Sequence, residues 1–299
     1  MSLLQETSRI RAHARTLAEF IRRGEGKLAI LTGAGISTDS GVPDYRGPTG
    51  IYVRNKDYRP IRFQEFISSH PTRQRYWSRS YLGYPRIVKA RPNTAHYAVE
   101  ALRKKGWVSG LITQNVDGLH LGEKIELHGT LHEVHCLSCQ HTVRRSEFQQ
   151  TVADMNPELV EWARRNPNAE SGDVASSTEV RPDGDVETSW DYSRFHYPDC
   201  EGCGKGMYKP SVVFFGENIR QQIRDQSFDL IDASRALLCI GTSLQVYSAF
   251  RLAQRAKLAG QPCATLSLGT SRADELMDAK IQDGCGEVLE AVCGELGAS

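Results

Sequence analysis

The chain has 299 residues, a formal net charge of +1 and 39% hydrophobic residues. That length suits one large domain with an insert, or two domains, and supplies enough apolar side chains for a real core. The near-balance of charge gives no general case for nucleic acid as a partner, and no apolar run reaches the roughly 18 residues that a membrane-spanning helix needs.

The N-terminal stretch carries Arg9, Arg11, Arg15, Arg22 and Arg23 but lacks the apolar segment of a secretory signal. The arginines suit an organelle transit peptide. Against that, Glu6 and Glu19 are interspersed, and Ile10, Ala14, Leu17, Ala18 and Ile21 recur at helical spacing. We therefore expect a mature helix packed beside the first strand. The expected location is the cytoplasm, with the mitochondrial matrix as the alternative for a eukaryotic source.

Leu28 to Thr32 reads as a buried strand, followed at once by Gly33-Ala34-Gly35. Glycines after a strand let a backbone approach a pyrophosphate, and the next helix N-terminus stabilises its charge. The third glycine of the dinucleotide fingerprint is missing, with Thr38 in its place, so a plain tight turn is the competing reading. Asp44-Tyr45-Arg46 follows: a carboxylate, a ring and a guanidinium suited to cover a nucleotide, or else a surface Asp–Arg pair. Residues 48–91 are rich in aromatics and arginines and read as a helical excursion. Residues 94–105 form a helix stopped by Gly106, and Trp107 to Thr113 a strand.

At the end of that strand stand Gln114, Asn115 and Asp117. Open α/β sheets bind ligands at this edge, and these side chains suit hydrogen bonds to ribose hydroxyls and an amide; a helix cap is the alternative. His128, in Glu126-Leu127-His128-Gly129, is a general-base candidate or a structural histidine. Cys136 with Cys139, and Cys200 with Cys203, are Cys-x-x-Cys pairs that together make a tetrahedral zinc set. Four thiolates leave no open position, so such a metal is structural; a redox role is the alternative. Sixty residues separate the pairs, and within them 166–189 is a polar, turn-rich loop. The remaining four cysteines are dispersed, which fits a reducing compartment better than a disulfide framework.

Ser211 to Phe215 reads as a strand ending in Gly216-Glu217, able to pair with an extended peptide or simply to sit in a sheet. Residues 219–232 form a helix and Ala236 to Ile240 a strand, followed by Gly241-Thr242-Ser243-Leu244-Gln245-Val246-Tyr247. A helix over 248–259, a strand from Ala264 to Leu268 and a closing helix over 286–295 complete the pattern. Strands alternating with helices mean a parallel α/β sheet. The expected organisation is a Rossmann-like domain (1–47, 92–131, 208–299), a cofactor loop and helical module (48–91) and a small zinc-binding domain with a long insert (132–207).

In this order the motifs resemble the sirtuin family over about Lys27 to Glu287, and within it the class II members; Tyr45 and the segment Pro182-Asp183-Gly184-Asp185-Val186 favour that class. The resemblance implies an NAD-consuming lysine deacylase that yields nicotinamide and O-acyl-ADP-ribose. His128 and Asn115 would be catalytic, with His128 the general base on a ribose hydroxyl. Gly33, Ala34, Gly35, Asp44, Tyr45, Arg46, Gln114, Asn115, Asp117, Gly241, Ser243, Ser267 and Cys285 would contact NAD. Ser267 stands where the family usually has Asn, and the chain from His120 to His128 is a few residues shorter than usual. Val213, Phe214, Gly216, Glu217, Leu244 and Val246 would flank an acyl-lysine peptide. Tyr76 and Arg79 share a helix face and suit a carboxylate at an acyl tip, or form a core-edge pair. Acyl preference, targets and oligomeric state stay open, as does a reach of the 166–189 insert into the active site. Protein mono-ADP-ribosyl transfer from the same NAD site is the alternative activity.

Overall fold

The apolar run Leu28–Thr32 forms strand β1, and all five of its residues are buried. A strand covered on both faces belongs in the interior of a parallel sheet. The protein is described by a computed structural model covering residues 3–48, 50–166, 181–186 and 188–298. In it β1 lies between β2 (Val108–Thr113) and β7 (Ala236–Ile240). With β3 (Ile125–Glu126), β8 (Cys263–Leu266) and β9 (Ala279–Ile281) they form one parallel sheet in the order β3-β2-β1-β7-β8-β9.

Alternate residues of β1 feed two separate layers, as the period of a strand requires. Leu28 and Ile30 pack with helices α1 (Leu3–Arg23) and α5 (Thr94–Lys104) and with the C-terminal helix Cys285–Glu295. Ala29 and Leu31 pack with the helices Gln221–Ala233 and Tyr247–Leu258. The helix expected at the N-terminus is thus part of the core: Ala14, Leu17, Ala18 and Ile21 are buried in it. Arg9 and His13 also tie α1 to the carboxylate of Asp283, at 3.0–3.2 Å.

The excursion at 48–91 is helical as expected: α2 (Ile51–Arg54), α3 (Phe63–Ser68) and α4 (His70–Lys89). The strand expected at Ser211 to Phe215 forms three residues earlier, as β6 (Tyr208–Val212), and lies outside the parallel sheet. It pairs antiparallel with β4 (Gly129–Cys136), which also pairs with β5 (Thr142–Arg144). This three-stranded sheet, α4, and helices α6 (Arg145–Met155) and α7 (Pro157–Arg165) enclose a second core. The two helices were not anticipated, although Phe148, Val152, Leu159 and Ala163 are buried at helical spacing.

Residues 167–180 and 187 of the expected long loop lie outside the described residues. Residues 181–186 make a tight turn, with Gly184 N–H donating to the Arg181 carbonyl and Arg181 N–H to that of Asp185, both at 2.9 Å. A side chain on Gly83 would collide with the Gly184 carbonyl, so that glycine lets the turn lie flat on α4. Among the described residues no helix is long and apolar enough to cross a membrane.

Candidate active site

From β1 the chain runs outward through β2 to β3, and from β7 the opposite way through β8 to β9. The crevice between the carboxyl ends of β1 and β7 is therefore the switch point at which such sheets bind ligands. The two loops that leave there are held against each other: Gly33 N–H donates to Ile240 O at 3.0 Å and Gly35 N–H to Gly241 O at 2.9 Å. A Cβ on Gly33 would lie 2.7 Å from that of Thr242, and one on Gly35 would lie 2.9 Å from the Gly241 carbonyl. Gly241 itself has φ +60°, in the left-handed region. The glycines are thus fixed by loop-on-loop contact as well as by any ligand. The helix N-terminus expected to follow them is not an α-helix. Two single 3-10 turns, Ala34–Ile36 and Thr38–Ser40, stand in its place.

A cavity of about 500 Å³ opens at this edge, within the size range of ligand sites. Its walls include Gly33, Ala34, Gly35, Asp44, Tyr45, Arg46, Gln114, Asn115, Asp117, His128, Gly241, Ser243, Ser267 and Cys285. They also include Tyr76, Val213, Phe214, Gly216 and Glu217 towards the small lobe, and Val246 at the start of the helix Tyr247–Leu258. The residues singled out in the sequence, scattered over 250 positions of chain, thus share one space, with two exceptions. Leu244 is fully buried in the core beneath the sheet, so its side chain cannot flank a ligand. Arg79 is held at 2.8 Å by the Asp185 carboxylate and the Val186 carbonyl, and is not part of the wall.

The polar groups at the end of β2 hold one another. Ser37 Oγ donates to Asp117 Oδ2 at 2.8 Å and accepts from Asn115 Nδ2 at 3.1 Å. Asn115 Nδ2 also donates to the Gly33 carbonyl at 3.2 Å, and Gln114 Nε2 to Thr242 Oγ1 at 2.8 Å. Behind them the His120 ring contacts Thr32 Oγ1 at 2.8 Å, and the Thr32 hydroxyl donates to that of Thr113 at 2.9 Å. Burial pushes the His120 imidazole down to about 3, so it is neutral. Neither Asn115 nor Asp117 caps a helix: the chain after β2 is irregular up to β3.

His128 Nδ1 lies 3.1 Å from the Gln114 carbonyl, which can only accept, so the proton sits on Nδ1. Nε2 then carries the lone pair, and it accepts from the Ser248 hydroxyl at 2.8 Å. Burial lowers this imidazole to about 4, against a smaller opposing pull from the Gln114 carbonyl. At neutral pH it is an unprotonated base in the cavity wall. Ser37, Thr32, Thr242 and Ser248 were not anticipated as members of this network. They are small hydroxyl residues whose partners lie far away in sequence.

On the cover of the cavity, Asp44 accepts the Gly47 N–H at 2.9 Å, while the Arg46 guanidinium lies 4.6 Å from the centre of the Tyr52 ring. The alternative reading, a surface Asp–Arg pair, is not what forms; each side chain has its own separate contact. Glu217 closes its own loop, accepting from Phe214 N–H at 2.8 Å and from the buried Lys209 ammonium at 3.0 Å.

Cys136, Cys139, Cys200 and Cys203 converge, their four sulfurs within 4.8 Å of one another. The Cys136–Cys203 and Cys139–Cys200 sulfurs are 3.8 and 3.6 Å apart. A tetrahedron with Zn–S bonds of about 2.3 Å requires edges of roughly 3.8 Å, whereas a disulfide is about 2.05 Å long. Ser138 N–H points at Cys136 Sγ from 3.3 Å, and any side chain on Gly206 would strike the sulfurs of Cys136 and Cys203. The cluster fits a structural zinc ion.

These features define a parallel α/β nucleotide-site protein whose second lobe is pinned by four thiolates. The model of the Sir2 family matches residues 33–248. The chain is 49% identical to the NAD-dependent protein deacylase SIR4 of Batrachochytrium dendrobatidis, over 96% of this chain and 95% of that one. It is 42% identical to the NAD-dependent protein deacylase SRT2 of Arabidopsis thaliana, over 89% of this chain and 72% of that one. Among solved structures it is similar to a Sir2 protein with a deacetylated p53 peptide and 3'-O-acetyl ADP ribose. That likeness has a TM-score of 0.70 and 26% identity, covering 95% of this chain and 99% of the other. The chain belongs to the Sir2 family.

Proposed function

We propose that this protein is an NAD-dependent protein-lysine deacylase, with NAD as co-substrate and acyl-lysine proteins or peptides as substrates. The observation that carries the reading is the His128 imidazole, which lines a cavity at the switch point of the sheet with its proton on Nδ1 and its Nε2 accepting from the Ser248 hydroxyl. In this reading Gly33, Ala34, Gly35, Gly241 and Ser243 meet the dinucleotide backbone, and Ser267 and Cys285 its adenosine end. Asp44, Tyr45 and Arg46 cover it. Gln114, Asn115 and Asp117 orient the nicotinamide riboside, with Ser37 fixing the rotamers of the last two. His128 Nε2 takes a proton from a ribose hydroxyl, and its Nδ1–H keeps the tautomer through the Gln114 carbonyl. Val213, Gly216 and Val246 border the peptide.

Burial supports the same reading. A charged lysine passing the apolar side chains Val213, Phe214 and Val246 would lose hydration there, whereas an acylated lysine is neutral and enters at little cost. The zinc cluster has no open position and takes no part in the reaction. Chain names and bound peptides of similar proteins point the same way. The soluble compartment we assign is the cytoplasm, or the mitochondrial matrix in a eukaryote.

The test is incubation with NAD and an acetyl-lysine peptide, read by mass spectrometry, for wild type and His128→Ala. Nicotinamide, free lysine and an O-acetyl-ADP-ribose should appear with wild type and fall at least a hundredfold with the variant. Label from NAD ending on protein instead would mean ADP-ribosyl transfer.

A further inference from the structure

The turn at 181–186 brings a charge to the cavity that no motif in the site accounts for. Pro182 and Asp183 are part of its wall. Asp183 is mostly buried, with a minor part of it exposed. One of its oxygens accepts the Asp185 N–H at 3.2 Å, and its own backbone N–H also faces the carboxyl. The two nearby cations are turned to other partners. Arg79 donates to Asp185 and Val186, and Arg181 pairs with Asp185 while lying 4.5 Å from the centre of the Tyr58 ring. Otherwise the setting is aromatic, because Asp183 acts electrostatically on Tyr45, Tyr52, Tyr58 and Tyr76.

The place of this group along the cavity follows from its neighbours. Tyr76 packs edge-on against Phe214, with ring centres 5.2 Å apart. Phe214 directly follows Val213, whose N–H bonds the His128 carbonyl at 2.9 Å. Tyr76, Phe214 and Asp183 line the same cavity as Val213, Gly216 and His128, within one space that an acyl chain would enter. The turn cannot slide away, because Gly83 seats its Gly184 carbonyl and Arg79 clamps Asp185.

We infer that Asp183 is a specificity-determining residue that reads the tip of the acyl group, favouring acyl chains with a hydroxyl donor and disfavouring those ending in a carboxylate. The inference rests on the deacylase reading. It reverses what Tyr76 and Arg79 suggest in the sequence, because the guanidinium expected to receive an acidic tip is engaged by Asp185 and a carboxyl faces the space instead. A hydroxyl donated to a half-buried carboxylate adds a charge-assisted hydrogen bond. A second carboxylate there forces like charges together in a poorly hydrated place. Burial already raises the Asp183 carboxyl above its usual range, against the pull of Arg181 and Arg79, so this site accommodates a further negative charge poorly.

The experiment is a kcat/KM panel with NAD and one peptide carrying acetyl-, butyryl-, 3-hydroxybutyryl-, 4-hydroxybutyryl- or glutaryl-lysine, for wild type, Asp183→Asn and Asp183→Leu. Wild type should favour the better hydroxybutyryl peptide over butyryl by about tenfold, and butyryl over glutaryl by at least as much. Asp183→Leu should bring the hydroxybutyryl-to-butyryl ratio to about one or below. Asp183→Asn should raise the glutaryl-to-butyryl ratio about tenfold. Each ratio is internal to one protein, so a general loss of folding cancels. Acetyl-lysine turnover with a wild type that prefers glutaryl to butyryl, or with ratios unmoved by both variants, overturns the role of Asp183 alone. No turnover of any acyl peptide overturns the deacylase reading and this inference together.

Discussion

The carboxyl edge of the parallel sheet and the four-cysteine end of the small lobe are both built from residues distant in sequence, yet they are held in opposite ways. At the sheet edge, polar side chains satisfy one another: Ser37 bridges Asn115 and Asp117, and Ser248 caps His128. Each contact is a single hydrogen bond, and the backbone beneath is fixed independently by the strands. At the cysteine end the thiolates themselves set the backbone, with Gly206 making room for sulfur. The lesson is that the first region is reactive and can lose one group without unfolding, whereas the second is scaffold and has no spare member.

Metal removal should break this contrast most severely. Structural zinc contributes on the order of 10 kcal/mol to the folding of the segment that binds it. A strong chelator, or Cys200→Ser, should release about one zinc per chain and abolish protection of β4 to β6 in hydrogen exchange, while β1, β2 and β7 keep theirs. Next comes His128→Ala. We expect activity to fall by roughly 10²–10⁴, with zinc content and thermal midpoint close to wild type.

Acid should next destabilise the fold through its buried histidines. His120 and His128 have folded values of about 3 and about 4, below the ordinary 6.5. Between those limits the unfolded chain binds more protons, so stability rises with pH and is lost as pH falls below about 6.5. Each histidine contributes a slope approaching roughly 1.4 kcal/mol per pH unit. Urea midpoints from pH 7 to pH 5 should show it, and replacing His120 with Asn should flatten the curve. The smallest effect is expected from Ser37→Ala, which leaves buried polar atoms of Asn115 and Asp117 short of a partner. It should cost about tenfold in kcat/KM, and recovery in Ser37→Thr would mark the hydroxyl as the cause.

The same contrast governs what was legible in the chain. Contiguous motifs at strand ends announced the sheet edge, because Gly33, Asn115 and Gly241 each follow a recognisable apolar strand. The cysteine pairs announced the zinc set by spacing alone. Ser248 was silent because one serine on a helix has no periodicity that points to an imidazole 120 positions earlier. Strand β6 was misplaced into the wrong sheet because an apolar run reports burial and not the identity of its neighbour. Arg79 was read towards a ligand from its spacing to Tyr76, but the acidic partner that claims it lies 106 positions away. Leu244 was read as a ligand contact from its motif, whereas φ +51° turns its side chain into the core.

The central claim is that His128, in the cavity wall, is a neutral base with its proton on Nδ1 and none on Nε2 at working pH. Nitrogen-15 NMR of the labelled imidazole measures this directly. A protonated Nδ1 and a bare Nε2 at pH 7, with no imidazolium forming until the pH falls well below 6, is the expected result. A proton on Nε2 at pH 7, or an imidazolium already present at pH 6.5, would contradict it.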